Sequence, residues 1–277
     1  MQTLGKVVLG LAVIASVGCN STTPEPASRA EEPSGPSGVA NRPEADHQEL
    51  LQFGKMREVI GQKKHHGRVE LAELVQAEHI YAVGALEGLA GEVTIFDSNI
   101  VATSVSDANS LSPVAAPWPQ ATLLVGRVAA QWLEFAIESD IAANEFDAYL
   151  AEVAGKNEVD LSMPTVFTIE GEFNECCFHV INGACPVHAE LHGVEMADNV
   201  KPYKTTKPQI RGTLVGVFAK DAAGVITHPG TTTHTHIVFK QTEDSEKLTA
   251  HVESTGILSG SVLRFANGYE TKKDLPR

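Results

Sequence analysis

The stretch from Thr231 to Ser254, TTTHTHIVFKQTEDSEKLTAHVES, carries three histidines at spacings that suit one face of a β-hairpin. Thr232, His234, His236 and Val238 alternate with Thr233, Thr235, Ile237 and Phe239, the period-two pattern of a strand rich in β-branched residues. Leu248 to Glu253 forms the returning strand, and Thr242–Glu243–Asp244–Ser245 supplies a polar turn. A turn centred near Glu243 and Asp244 sets His236 opposite His251, with His234 two positions along on the same face. Three neutral imidazoles converging this way hold a divalent metal and leave a position open for substrate. Without a metal, the same pattern is a polar sheet face with solvated histidines.

A second group of reactive side chains lies in NECCFHVINGACPVHAELH, with Cys176, Cys177 and Cys185 among His179, His188 and His192. Two readings stand. One is a disulfide between Cys185 and one of the vicinal pair, which an oxidising compartment favours. The other is a second soft-metal site built from the cysteines and His179, although the spacing matches no standard finger.

The compartment is indicated by the N-terminus. Lys6 precedes the apolar run Val7–Val17 and then Gly18–Cys19, a signal-peptide core too short to span a bilayer. A cysteine after a small residue at the end of that run makes residues 1–19 a lipoprotein signal, with Cys19 lipidated after cleavage. The protein is then exported, as a periplasmic or cell-surface lipoprotein held at a membrane by its lipid anchor. Residues 20–46 are rich in Ser, Pro, Glu and Ala, offer little to bury and read as a disordered tether. Residues 47–277 are the folded domain.

The elements that must position the histidines follow from hydrophobic spacing. Residues 47–62 and 69–76 read as helices, and 79–86, 92–96 and 99–104 as strands. Residues 107–116 read as loop, and 121–128 fit either a strand or a helix. Residues 132–141 and 144–154 are spaced as helices. Strands follow at 164–170 and 211–219, with a loop at 201–207 between them, then the histidine hairpin and a last strand at 256–264. Helices early and antiparallel strands late give an α+β fold: mixed or antiparallel sheets, an N-terminal α/β part and a C-terminal antiparallel β part carrying the metal site. Of 277 residues, 43% are hydrophobic, enough for a substantial core. The formal charge of −14 leaves no basic footprint, so nucleic acid is excluded as a partner. It does not exclude a small anion, because a buried metal dominates its local field.

Placed in order, these segments resemble the α-acetolactate decarboxylase family over the region after the tether. The resemblance rests on Leu89-Ala90-Gly91-Glu92 followed by Phe96-Asp97, on Phe167-Thr168-Ile169-Glu170-Gly171-Glu172-Phe173, and on Lys201-Pro202-Tyr203-Lys204. It continues through the strand Gly212–Phe218, then His234, His236 and finally His251-Val252. No single match is decisive; their shared order carries the resemblance.

The resemblance implies zinc held by His234, His236 and His251, with Glu92 at the site. It implies decarboxylation of 2-acetolactate, a small anionic 2-hydroxy-3-keto acid, to acetoin and carbon dioxide, in a chain that forms homodimers. Zinc would act as a Lewis acid at the charge that develops as carbon dioxide leaves, and Glu92 would donate a proton or orient the donor. Three histidines also accept copper, nickel or iron. Two departures stand out. The family's substrate-holding Arg after Gly-x-Phe is absent: His179 falls there, and no Arg occurs between Phe173 and Arg211. A charge-assisted contact of about 1.5–3 kcal/mol goes with it. The family's second Glu from a C-terminal tail has only Glu253 and Glu270 as candidates. An alternative therefore stands beside the enzyme: a metal-binding lipoprotein of the same fold that is non-catalytic or has changed its substrate.

Overall fold

The computed structural model describes residues 50–107 and 110–267. The signal segment, Cys19, the tether, the first residues of the reading at 47–62, and Glu270 lie outside the described residues.

Among the described residues thirteen strands build two sheets. The first comprises β1 (Leu51–Phe53), β2 (Val69–Glu70), β3 (Ile80–Leu86), β4 (Glu92–Phe96), β5 (Asn99–Asp107), β6 (Ser110–Pro113) and β7 (Gln120–Val128), in the order β1-β7-β3-β4-β5-β6 with β2 on β7. The second comprises β8 (Trp132–Ala136), β9 (Thr165–Val180), β10 (Tyr203–Phe218), β11 (Thr233–Lys240), β12 (Lys247–Ile257) and β13 (Val262–Ala266). Every pairing between these strands is antiparallel. The α-helices are short: α1 (Leu71–Leu74), α2 (Phe146–Lys156) and α3 (Pro186–Leu191). Among the described residues no helix is long and apolar enough to cross a membrane. The α+β class stands, with a C-terminal antiparallel part that carries the histidine hairpin.

In the second sheet β9 pairs with β10, β10 with β11, β11 with β12, and β12 with β9 again, so four strands close a ring. Alternation along each strand then gives two environments. Ile237, Phe239, Leu248, Ala250, Cys176 and Phe178 belong to the core enclosed by the ring. Val166, Val215, Val217 and Val238 pack against Tyr81, Val83, Val101 and Val125 of the first sheet. The other face of the first sheet is covered by Leu51, Val69, Leu71 and Leu74.

Five segments differ from their reading in sequence; one is the helix expected at 69–76, where Val69 and Glu70 pair with β7 and only Leu71–Leu74 is helical. Residues 50–62 are not one helix: β1 pairs Leu51 with Gly126, Gly54 turns the chain at φ +76°, and a π-helical turn follows at Arg57–Gly61. A side chain at Gly54 would stand 2.5 Å from the Thr122 carbonyl, so the break is built in. Residues 132–136 form strand β8 on β13; apolar side chains at 132, 133, 135 and 137 fit both periods, and partner availability decides. Residues 110–113 of the expected loop pair with β5. The expected loop at 201–207 is the start of β10, where Tyr203 to Lys207 pair with Val180 to Cys176. That pairing draws the whole Cys-Cys-Phe-His segment into β9.

Candidate metal centre

The hairpin register sets His236 directly opposite His251, and the β12–β9 ladder sets His251 opposite His179. Three histidines thus form a row across three adjacent strands, with His234 two residues along β11 on the face toward the first sheet. All four are buried, which removes the solvated-face reading. Ligand atoms of His234, His236 and His251 lie within 4.8 Å of one another, and among the described residues this is the group that could hold a metal ion.

The donors fit a metal. His234 Nδ1 and His236 Nε2 are buried with no hydrogen-bond partner, a costly arrangement for two lone pairs or N–H groups unless an ion takes them up. The other nitrogen of His236 is fixed: Nδ1 lies 3.1 Å from Thr94 Oγ1, which itself lies 2.6 Å from Thr249 Oγ1. An outer partner that orients the ring in this way is the usual support of a metal-binding imidazole. Burial first, then the neighbouring rings, push the His234 pKa down to about 3 and hold His236 and His251 well below 6.5. All three are therefore neutral, the form that ligates.

Glu92 opens β4 beside them. Gly91 is required there, since a Cβ would sit 2.2 Å from the Thr103 carbonyl oxygen; the close β4–β5 approach explains the Gly-Glu pattern. The Glu92 carboxyl is buried, 3.7 Å from His236 Nε2 and 3.9 Å from His179 Nε2. Burial pushes its pKa up to about 8, against the opposing hydrogen bond it accepts from the Ile181 N–H at 3.3 Å. In the metal-free centre the raised Glu92 pKa and the neutral rings make these close polar contacts and not ion pairs.

His179 Nδ1 lies 2.9 Å from Glu253 Oε1, and Lys204 Nζ lies 2.6 Å from Glu253 Oε2. Although desolvation works the other way, these two partners hold the Glu253 carboxylate at about 2. Glu253 therefore supports His179 instead of reaching the metal pocket. His228, in the loop before β11, also lines that pocket, its ring 5.2 Å from His251; burial and then His179 lower its pKa to about 4. Sequence spacing did not single it out. Its only signal is a histidine in a His-Pro-Gly turn shortly before the hairpin. Met56, Ile60, Leu89 and Ile181 close the pocket around a cavity of about 30 Å³, room on the order of one or two waters.

The cysteines do not act together. Cys176, Cys177 and Cys185 are free thiols, and Cys176 and Cys177, as successive strand residues, point to opposite faces of β9. Cys176 is in the ring core, Cys177 Sγ is 3.7 Å from Glu253 Oε2, and Cys185 lines the metal pocket. Burial pushes the Cys176 and Cys185 thiols up to about 11. His179 belongs to the Glu253 pair and joins no thiol cluster.

The described domain consists of two antiparallel sheets with a buried three-histidine group, and its fold is shared with solved acetolactate decarboxylases. The structure is similar to acetolactate decarboxylase from Bacillus subtilis subspecies spizizenii, with a TM-score of 0.60 and 14% identity over 81% of this chain and 91% of that one. It is similar to α-acetolactate decarboxylase from Bacillus subtilis strain 168, with a TM-score of 0.58 and 13% identity over 82% and 91% of the two chains. A Staphylococcus aureus protein of unknown function, described as similar to α-acetolactate decarboxylase, gives a TM-score of 0.55 and 16% identity over 79% and 85%. No family model matches the sequence, and no curated protein matches it. The resemblance read from the sequence therefore stands at the level of the fold.

Proposed function

We propose that the protein is a zinc-dependent decarboxylase that converts 2-acetolactate to acetoin and carbon dioxide. The observation that carries this is the buried Glu92 carboxyl, 3.7 Å from His236 Nε2, beside three converging histidines on an acetolactate decarboxylase fold. His234, His236 and His251 would hold the ion, and zinc there would polarise the substrate's hydroxyl and carbonyl oxygens as a Lewis acid. The carbon that loses carbon dioxide keeps the bonding electron pair and must gain a proton. Burial raises the Glu92 pKa, and in this reading Glu92 would deliver that proton from a fixed position and then recover one from solvent. The Ile181 N–H fixes one carboxyl oxygen, leaving the other toward His236. The apolar wall of Met56, Ile60 and Leu89 keeps bulk water from competing as the proton source.

One observation favours a second reading, a member of the fold whose substrate has changed. Among the described residues no free cation stands where the substrate carboxylate would be held, for His179 is neutral and Lys204 is already engaged by Glu253. Arg211 is no substitute, as its side chain is 82% exposed and it lines no part of the metal pocket.

We further read the chain as exported and anchored through a lipidated Cys19, with the domain held off a membrane surface and acting as a homodimer. Mass spectrometry of the mature N-terminal peptide and sedimentation of the solubilised protein test these two points. The reaction is tested by acetoin formation from racemic 2-acetolactate with zinc-loaded protein, using His236→Ala as control. Zinc-dependent acetoin supports the proposal. A folded, zinc-bound protein that makes none transfers support to the second reading.

A further inference from the structure

The ring of β9 to β12 is split at one end. β10 stays on β11 only from Phe218 back to Gly212, which pairs with Phe239, while Tyr203 to Arg211 continue on β9 alone. β11 meanwhile runs on with β12 to the pair Lys240–Lys247. A groove of about 680 Å³ fills this split and shares no lining residue with the metal pocket. Its floor is formed by the half-buried Phe96, Leu111, Tyr203 and Ile210, with Tyr203 stacked at 6.4 Å on Phe178 of the ring core beneath. The mouth of a small β-barrel is a common place for a ligand of this size.

The rim has the wrong sign for an acidic chain. Four cations line the groove, Lys207, Arg211, Lys240 and Lys247, against one carboxylate, Glu243, a balance of +3 on a chain of −14. Lys240 is directed to the Glu243 carbonyl oxygen at 2.7 Å, not to its carboxylate. Arg211 meets Glu172 only at 3.8 Å and in solvent. Cations gathered around an apolar floor lower the energy of an anion whose remainder is apolar, and they repel a cationic one.

We propose that this groove is a binding site for a single-chain organic anion, with the carboxylate on the Lys207/Lys247 rim and the hydrocarbon tail over Tyr203, Ile210, Leu111 and Phe96. The site is separate from the metal centre, so it stands whether or not the chain is a decarboxylase.

The test is calorimetric titration of the full chain with decanoate and with decanol, in low and high salt, repeated on Lys207→Glu/Lys247→Glu. Both lysines are exposed, so the variant keeps the core, and unchanged circular dichroism and zinc content confirm that. Saturable binding of decanoate is expected, at least ~10-fold weaker in the variant and in high salt, with decanol bound ~10-fold more weakly than decanoate. Absence of saturable decanoate binding overturns the proposal. So does equal affinity for decanol, or a variant that binds as the parent does.

Discussion

Glu253 fixes which nitrogen of His179 faces the metal pocket. The carboxylate can only accept, so the Nδ1 at 2.9 Å donates to it and the Nε2, 3.9 Å from Glu92, presents a lone pair. The strands that carry the two residues pair side by side, and Lys204 completes the arrangement from β10.

That arrangement has an acid signature. The Glu253 carboxylate titrates near 2 in the folded protein and near 4.5 when unfolded. The unfolded state therefore binds more protons in between, and the stability present above pH 4.5 is lost as pH falls toward 2. The buried histidines lose stability earlier, below 6.5, because unfolding releases them to protonate. Glu253→Gln should make the decline shallower below pH 4.5, where both contribute, and leave it unchanged between 6.5 and 4.5, where the histidines act alone. Thermal unfolding from pH 7 down to about 3 measures both; a variant whose lower limb matches the parent's overturns the assignment.

Loss of the metal is the most direct check on the centre. His236→Ala should abolish stoichiometric zinc while the sheets still form, since the neighbouring Thr94–Thr249 bond remains. In the parent, zinc at a thousandfold excess over its Kd contributes about 4 kcal/mol, so a chelator should lower Tm by on the order of 10 °C. Elemental analysis and calorimetry read the two effects. Full zinc retention in His236→Ala would contradict the three-histidine site.

The hairpin was legible because two local rules coincide. Period-two alternation places His234 and His236 on one face, and a short polar turn leaves one register that opposes His236 to His251. Glu92 was legible only through the Gly-Glu pattern, whose cause is the closeness of β4 to β5. The Glu253–His179 contact spans 74 residues and needs the β12–β9 pairing, with its bulges, to be known first. Trp132–Ala136 and Tyr203–Lys207 misled for opposite reasons. The former carries apolar residues that satisfy both periods. The latter is a polar strand that exists because the Cys176–Val180 segment is there to pair with it.

Glu92 should reveal itself in the metal-free protein at the alkaline side. Its carboxyl is held near 8 by burial and near 4.5 when unfolded, so the unfolded state releases its proton first and stability falls as pH rises between those values. Above 6.5 the histidines are neutral in both states, leaving Glu92 as the slope. Glu92→Gln should flatten the decline of Tm between roughly pH 6.5 and 9 in the apo protein. In the zinc form it should keep the metal but cut turnover by about 10²–10⁴-fold. Zinc lost together with turnover would make Glu92 a ligand instead.

His179→Arg distinguishes the two readings of the substrate. Glu253 is already neutralised by Lys204, so a guanidinium placed on β9 keeps charge to spend on a carboxylate in the pocket. For 2-acetolactate, KM should fall about ten- to hundredfold, the range of one charge-assisted contact. The same cation favours the ionised form of Glu92, so fewer molecules hold the proton at neutral pH and the alkaline limb of kcat should move to lower pH. Both effects follow from one substitution but fall on different kinetic parameters, and steady-state rates across pH separate them. A lower KM with the shifted limb places the substrate carboxylate at residue 179 and supports decarboxylation. A shifted limb with unchanged KM shows that no carboxylate binds there, and the substrate is then one that the neutral histidine suits.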